Sequence, residues 1–168
     1  DLGRFNGMMA TIYRSIGHGY SVREEWIMAV AAYDLSATFA AHIQDVSPQA
    51  ARYTKALNNA GIECAKEGKL DQAIDFFHRS HAIMPNITAH YNEGLVHEKQ
   101  GNAKAAIDAY KKALFIEPQQ VVVLTRLGVV FTLEGLRDQA LECFQQVLAI
   151  KPDYAPAIQN LAVLRSAE

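Results

Sequence analysis

Four histidines, His78, His81, His90 and His97, crowd one stretch of this 168-residue chain, and imidazoles at that density are what a metal site would use. His78 and His81 are three apart, a spacing at which two side chains on one helix face could share an ion. His90 and His97 are seven apart, two helical turns or roughly 10 Å, too far for a common ion without other ligands. No cysteine or closely spaced acidic pair completes a coordination shell, so all four read as surface or core histidines. No metal and no other cofactor is implied.

Other reactive patterns fare no better. "GHG" at Gly17 to Gly19 has no strand before it and no third glycine, so it reads as a turn and not as a phosphate-cradling loop. The patterns GxxxxGK[ST], HExxH and GxSxG do not occur. Cys64 and Cys143 lie far apart with no CxxC spacing, which fits a reduced compartment and points to a cytoplasmic setting. Cys64 falls at a packing place and reads as a buried small hydrophobe. No catalytic residue is nominated, and the chain is read as a non-enzyme.

Composition narrows the classes further. Half of the residues are apolar, enough for a substantial core. The 16 basic and 18 acidic residues leave a formal net charge of −2, which gives no push toward nucleic acid or an anionic membrane. The chain opens at Asp1, so it reads as a trimmed or processed form in which a targeting signal would be missing. The segment from Trp26 to Ile43 is about long enough to span a bilayer, but Asp34 sits near its middle and His42 near its end. A mid-membrane carboxylate is costly, so a helix buried against protein is expected instead of insertion.

The elements that organise the chain repeat. Three segments align without gaps, "NNAGIECAKEGKLDQAIDFF", "YNEGLVHEKQGNAKAAIDAY" and "TRLGVVFTLEGLRDQALECF". Their first glycines are Gly61, Gly94 and Gly128. Seven residues on comes a second glycine, Gly68, Gly101 or Gly135, and twelve on an alanine, Ala73, Ala106 or Ala140. Sixteen on comes an aromatic, Phe77, Tyr110 or Phe144, and twenty-four on a proline, Pro85, Pro118 or Pro152. Each place has a mechanical reason. The first glycine and the alanine lack bulk, so two helices approach closely and the aromatic fills what is left. The second glycine ends the first helix with a left-handed residue, and the proline ends the second helix. Each unit is therefore a helical hairpin, and stacked hairpins share a continuous core.

This pattern resembles the tetratricopeptide repeat (TPR) family. The resemblance covers about residues 54–152 and implies an all-α, right-handed superhelical α-solenoid of three hairpins, at about 54–86, 87–120 and 121–154. "APAIQNLAVLRSAE" repeats the first-helix pattern with Ala162 in place of glycine and reads as a cap helix over 155–168. His90 stands where Leu57 and Leu124 stand, and Ser80 where Ala113 and Val147 stand, departures expected to loosen packing locally.

Residues 1–50 show no repeat and are set apart from 51–168 as an N-terminal helical arm. Leu2, Phe5, Met9, Ile12, Tyr13 and Ile16 fall near one helical stripe, and "GHGY" is expected to break that helix. Ser21 and Glu24 have capping-box spacing, which predicts a second helix from Ser21 to about Gln44. Ser47 and Pro48 suit the start of a third. The arm is expected to cover the first repeat; homodimerisation through Trp26 to Phe39 and docking in the protein's own groove are the alternatives.

In the resembled fold the first helices line a concave groove. Counting from each first glycine places Lys55, Asn58, Asn59, Ile62 and Lys66, then Tyr91, Asn92, Leu95 and Lys99, then Thr125, Arg126, Val129 and Leu133 on that side. The place two before the glycine carries Asn59, Asn92, Arg126 and, in the cap, Asn160. Family members that hold extended peptides often use asparagines there, each amide offering a donor and an acceptor to a peptide backbone. Arg126 adds a positive fork suited to a carboxylate. Some members clamp a C-terminal carboxylate; Asn92 and Arg126 match that clamp, whereas Asn58, Ile62 and Val122 do not. The resemblance thus implies an adaptor that binds an extended segment of another protein. A secretion or assembly chaperone of the type III class, or the scaffold part of a longer enzyme or signalling protein, are the alternatives.

Overall fold

The computed structural model describes residues 2–40 and 47–166, with nothing but helices and turns among them. Nine helices are formed there: α1 Leu2–Val22, α2 Trp26–Phe39, α3 Ser47–Lys66, α4 Leu70–Ile83, α5 Ile87–Lys99, α6 Ala103–Ile116, α7 Val121–Leu133, α8 Arg137–Ile150 and α9 Ala155–Ser166. They fall into two compact units, 1–85 and 86–168. The first pairs α1 with α2, α2 with α3 and α3 with α4; the second pairs α5 with α6, α6 with α7, α7 with α8 and α8 with α9. The fold is all-α and built from repeated hairpins, as the periodicity predicts.

Each repeated residue meets a packing or backbone demand of its hairpin. A methyl group added at Gly61, Gly94 or Gly128 would lie 2.6, 2.4 or 2.7 Å from a ring atom of Phe77, Tyr110 or Phe144. Those distances are far inside ordinary carbon contact, so only glycine lets the paired helices come this close. Gly68, Gly101 and Gly135 have φ of +81°, +73° and +71°. The chain closes each first helix by a long-reaching bond, Lys69 N–H to Cys64 O at 2.9 Å, Asn102 N–H to His97 O at 2.9 Å and Leu136 N–H to Phe131 O at 2.8 Å. This satisfies carbonyls that the helix end would leave orphaned. Asn86 and Asn102 cap α5 and α6, their side chains accepting from Ala89 N–H at 2.8 Å and Ala105 N–H at 3.2 Å.

The N-terminal region departs from expectation. α1 does not break at "GHGY" but runs through it to Val22. Ser21 does not cap α2; it lies at the end of α1, where its hydroxyl donates to Gly17 O at 2.9 Å. α2 starts at Trp26 and is described to Phe39, so its expected continuation over 41–44 lies outside the described residues. α1 and α2 in fact reproduce the hairpin geometry. A methyl at Gly17 would lie 2.9 Å from the Tyr33 ring, sixteen residues on. Glu24, seven on, has φ +60°, and Glu25 N–H reaches back to Tyr20 O at 3.0 Å. Ala29, twelve on, is fully buried. Ser36 Oγ donates to Ala10 O at 2.8 Å, and its register counterpart Ser80 donates to Thr54 O at 3.4 Å. Ser80 is thus a polar bridge between hairpin helices and not a packing defect.

In the first unit Ala29, Val30 and Tyr33 of α2 pack among Ala56, Leu57 and Ala60 of α3. Asp34 does not face apolar surroundings: Arg79 donates to its carboxylate at 2.6 Å and to Tyr53 Oη at 2.8 Å, while the Tyr53 hydroxyl donates to Asp34. No helix among the described residues is long and apolar enough to cross a membrane. The α1 stripe faces outward in part: Leu2, Ile12 and Ile16 are 74%, 43% and 41% exposed, and the buried residues of α1 are Ala10 and Gly17. In the second unit Tyr110, Phe144, Leu124, Leu127, Val130 and Phe131 form the centre of one core that reaches Leu161 and Leu164 on α9.

Candidate functional site

The residues expected to line a binding face lie on the first helices, α3, α5, α7 and α9, but they are not equally available. Lys55, Lys66, Lys99 and Arg126 are exposed, and Asn59, Ile62, Tyr91, Asn92, Leu95, Val129 and Asn160 are half-buried. Asn58 and Thr125 are buried, at 9% and 8% exposure. The Thr125 hydroxyl turns back to Val121 O at 2.7 Å, and Asn160 Nδ2 to Pro156 O at 2.7 Å. Both groups therefore satisfy their own helix, leaving less hydrogen-bonding capacity for a ligand. Leu133 is 77% exposed.

Arg126 has an internal partner that sequence spacing did not suggest. Its guanidinium lies 3.8 Å from a Glu98 carboxylate oxygen, and the Tyr110 hydroxyl donates to the same side chain. Burial is the largest cause raising the Tyr110 phenol well above its ordinary range, followed by the Glu98 hydrogen bond. The aromatic that plugs the hairpin thus holds a carboxylate in front of the arginine, and an incoming anion must compete with Glu98.

In the second unit α5 and α7 leave an open concavity of about 270 Å³ lined by Ile87, Thr88, Tyr91, Gln120, Val122 and Val123. Tyr91 is the expected groove residue among them, its ring centroid 6.0 Å from that of Tyr110. Thr88 and Val122 occupy the register place of Lys55, six before the glycine, and that shared place was the signal for them. In the first unit Lys55 and Asn59 line a larger cleft of about 610 Å³ against the end of α1. Sequence alignment could not show it, because α1 had no recognised register.

His78 and His81 meet edge to face on α4 with centroids 5.4 Å apart. His90 Nδ1 lies 3.5 Å from one Glu93 oxygen and His97 Nε2 lies 3.8 Å from the other, all along α5. Burial raises the Cys64 thiol above its ordinary range and pushes that of Cys143 up to about 11. A thiol held neutral in this way is a poor nucleophile.

Comparison with known proteins bears on this geometry. Tetratricopeptide repeat models match residues 87–120 and 123–156. Over 79 residues the chain is 32% identical to a probable UDP-N-acetylglucosamine–peptide N-acetylglucosaminyltransferase, SPINDLY, of Arabidopsis thaliana. That match takes in 47% of this chain and 9% of the transferase, so the chain spans a small part of that curated relative, and the match shows no transferase activity. Among solved structures, the crystal structure of MamA protein is 22% identical, with a TM-score of 0.69 over 95% of this chain and 82% of that one. The first TPR of Spaghetti (RPAP3), solved bound to the HSP90 peptide SRMEEVD, is 20% identical, with a TM-score of 0.64 over 68% of this chain and 91% of that one. At these identities the likeness to solved structures is one of fold.

Proposed function

Since the chain is a tetratricopeptide repeat protein, we propose that it is a non-catalytic interaction module that holds an extended segment of another protein along the first helices of its hairpins. The observation that carries this reading is the concavity between α5 and α7, where Tyr91, Thr88 and Val122 combine apolar surface with hydroxyl groups. Asn92 stands beside it, half-buried, and Lys99 about two turns further along α5 is exposed. Amides and half-buried apolar side chains suit an extended backbone, which needs donors, acceptors and side-chain recesses in alternation. A protein of the same fold was solved holding an HSP90 peptide, which adds support by analogy.

The test is capture of partners from lysate with the wild type beside an Asn59→Ala, Asn92→Ala, Arg126→Ala variant. Selective loss of one or a few partners from the variant is expected. Equal retention of every partner by both proteins refutes the reading.

A further inference from the structure

α1 carries an apolar seam that its own hairpin leaves uncovered. Leu2, Phe5, Met9, Ile12 and Ile16 follow one another at steps of three and four residues, the spacing that keeps one face of a helix turned toward a partner helix. Leu2, Phe5, Ile12 and Ile16 are exposed and Met9 is half-buried. The buried residues of α1, Ala10 and Gly17, lie on another face, where they meet Ser36 and Tyr33 of α2. Asn6, Met8, Tyr13, Ser15, Tyr20 and Val22, which flank the seam, are all uncharged, and Arg4, Arg14 and His18 fall elsewhere around the helix.

The hairpin register shows what this face meets in other first helices. The places five and one before the first glycine hold Ala56 and Ala60 in α3 and Val123 and Leu127 in α7; counted from Ala162, they hold Ala157 and Leu161 in α9. All six are buried, in helices that pack on the second helix before them, α2, α6 or α8. In α1 the same places are Ile12 and Ile16. Isoleucine is bulkier than the alanine or valine found five before the glycine elsewhere, so α1 is a poor copy of a helix that takes a preceding hairpin at that close approach. The seam also continues past these places to Phe5 and Leu2, over about 21 Å of helix. Its shape suits a long helix lying along α1.

We propose that this helix is α1 of a second copy of the chain, paired antiparallel about Met9. The seam is complementary to itself in that sense. With Met9 against its own counterpart, Phe5 meets Ile12 and Leu2 meets Ile16, and a two-fold axis makes each of these contacts twice. Uncharged flanks place no like charges against each other across such a pair. Antiparallel helices set their dipoles head to tail, and methionine is adaptable enough to meet itself at the centre. Homodimerisation was expected through Trp26 to Phe39, but α2 turns Ala29, Val30, Ala32, Tyr33 and Ser36 inward, so the free seam belongs to α1.

Sedimentation equilibrium of the 168-residue chain between about 1 and about 100 µM reports the pairing, and a mass rising from one chain to two is expected. An Ile12→Lys, Ile16→Lys variant weakens it by about a hundredfold or more, each lost isoleucine contact counting for about tenfold. Both positions are exposed, so its helical circular dichroism stays that of the wild type. Phe115→Lys, at a residue 89% exposed on α6, leaves the pairing unchanged. Cys64 and Cys143 are buried, so added thiols report the geometry: Met9→Cys protein cross-links to itself under mild oxidation, and Leu2→Cys cross-links to Ile16→Cys faster than either does to itself. A chain that stays monomeric throughout overturns the proposal, as does pairing that survives in the double lysine variant or is lost equally in Phe115→Lys. Faster self-cross-linking of Leu2→Cys and Ile16→Cys overturns the antiparallel arrangement. Binding of a monomeric wild type to phosphatidylserine vesicles, abolished by the same two lysines, assigns the seam to a lipid surface and overturns the second copy.

Discussion

Gly17 and Gly19 stand two residues apart in α1, and the same substitution is expected to act on them with opposite sign. Both lie inside a helix, where replacing glycine by alanine stabilises by about 0.5–1 kcal/mol. At Gly19 nothing lies within 4 Å of the new methyl group, so that gain is kept. At Gly17 the methyl would stand 2.9, 3.0 and 3.1 Å from three atoms of the Tyr33 ring. Tyr33 is 4% exposed and packed in the core of its unit, so the ring has little room to withdraw. Overpacking of this kind costs about 1–3 kcal/mol. The propensity gain is common to both variants, so the difference between them isolates the overpacking and amounts to about 1–3 kcal/mol. Urea unfolding followed by Trp26 emission measures it in the unit that contains both glycines. Equal shifts for the two variants, or a Gly17→Ala protein more stable than Gly19→Ala, refutes the claim that α1 and α2 form a hairpin of the repeating kind.

Two further outcomes follow from the titrating groups. Burial first, and then the bond to Asp34, push the Tyr53 phenol up to about 12 from 10.0. A folded-state value above the unfolded one means that the contribution is complete below pH 10 and is lost as the pH rises toward 12. Wild-type protein should therefore lose stability across that interval more steeply than Tyr53→Phe, and parallel pH profiles would contradict the hydrogen-bonded phenol. The buried thiols of Cys64 and Cys143 should resist a disulfide reagent at pH 8 in native protein and react at once in urea, because burial holds both above their ordinary range. Rapid modification of the native protein would show that one of them is accessible.

What was legible in the sequence and what was not divides along a physical line. The three central hairpins could be read because glycine, alanine, aromatic and proline each answer a separate backbone or packing demand at a fixed offset. Four independent demands meeting three times is hard to mistake. In the first hairpin the same demands are met by other means. Glu24 adopts the left-handed conformation that glycine adopts elsewhere, and Tyr33 supplies the repeat's aromatic without the proline eight residues later, since position 41 is Ala. The surviving marks, Gly17, Ala29 and Tyr33, are too few to stand out in sequence. "GHG" then looked like a break because two glycines in a helix normally weaken it, whereas Gly17 is required by the Tyr33 ring and Gly19 is simply tolerated. The capping-box spacing of Ser21 and Glu24 misled for a related reason: Ser21 bonds back into α1 at Gly17 O instead of forward into α2.

The helix on which each expected binding residue sits was legible, but not which of its groups are available. Periodicity places Asn58, Thr125, Arg126 and Asn160 on the first helices, yet it carries no information about what else claims their hydrogen bonds. Thr125 and Asn160 are claimed by carbonyls one turn back in their own helices, and Arg126 by a carboxylate whose position depends on Tyr110 in another helix. Such competition is decided by tertiary approach within a few ångströms, which repeat spacing cannot encode.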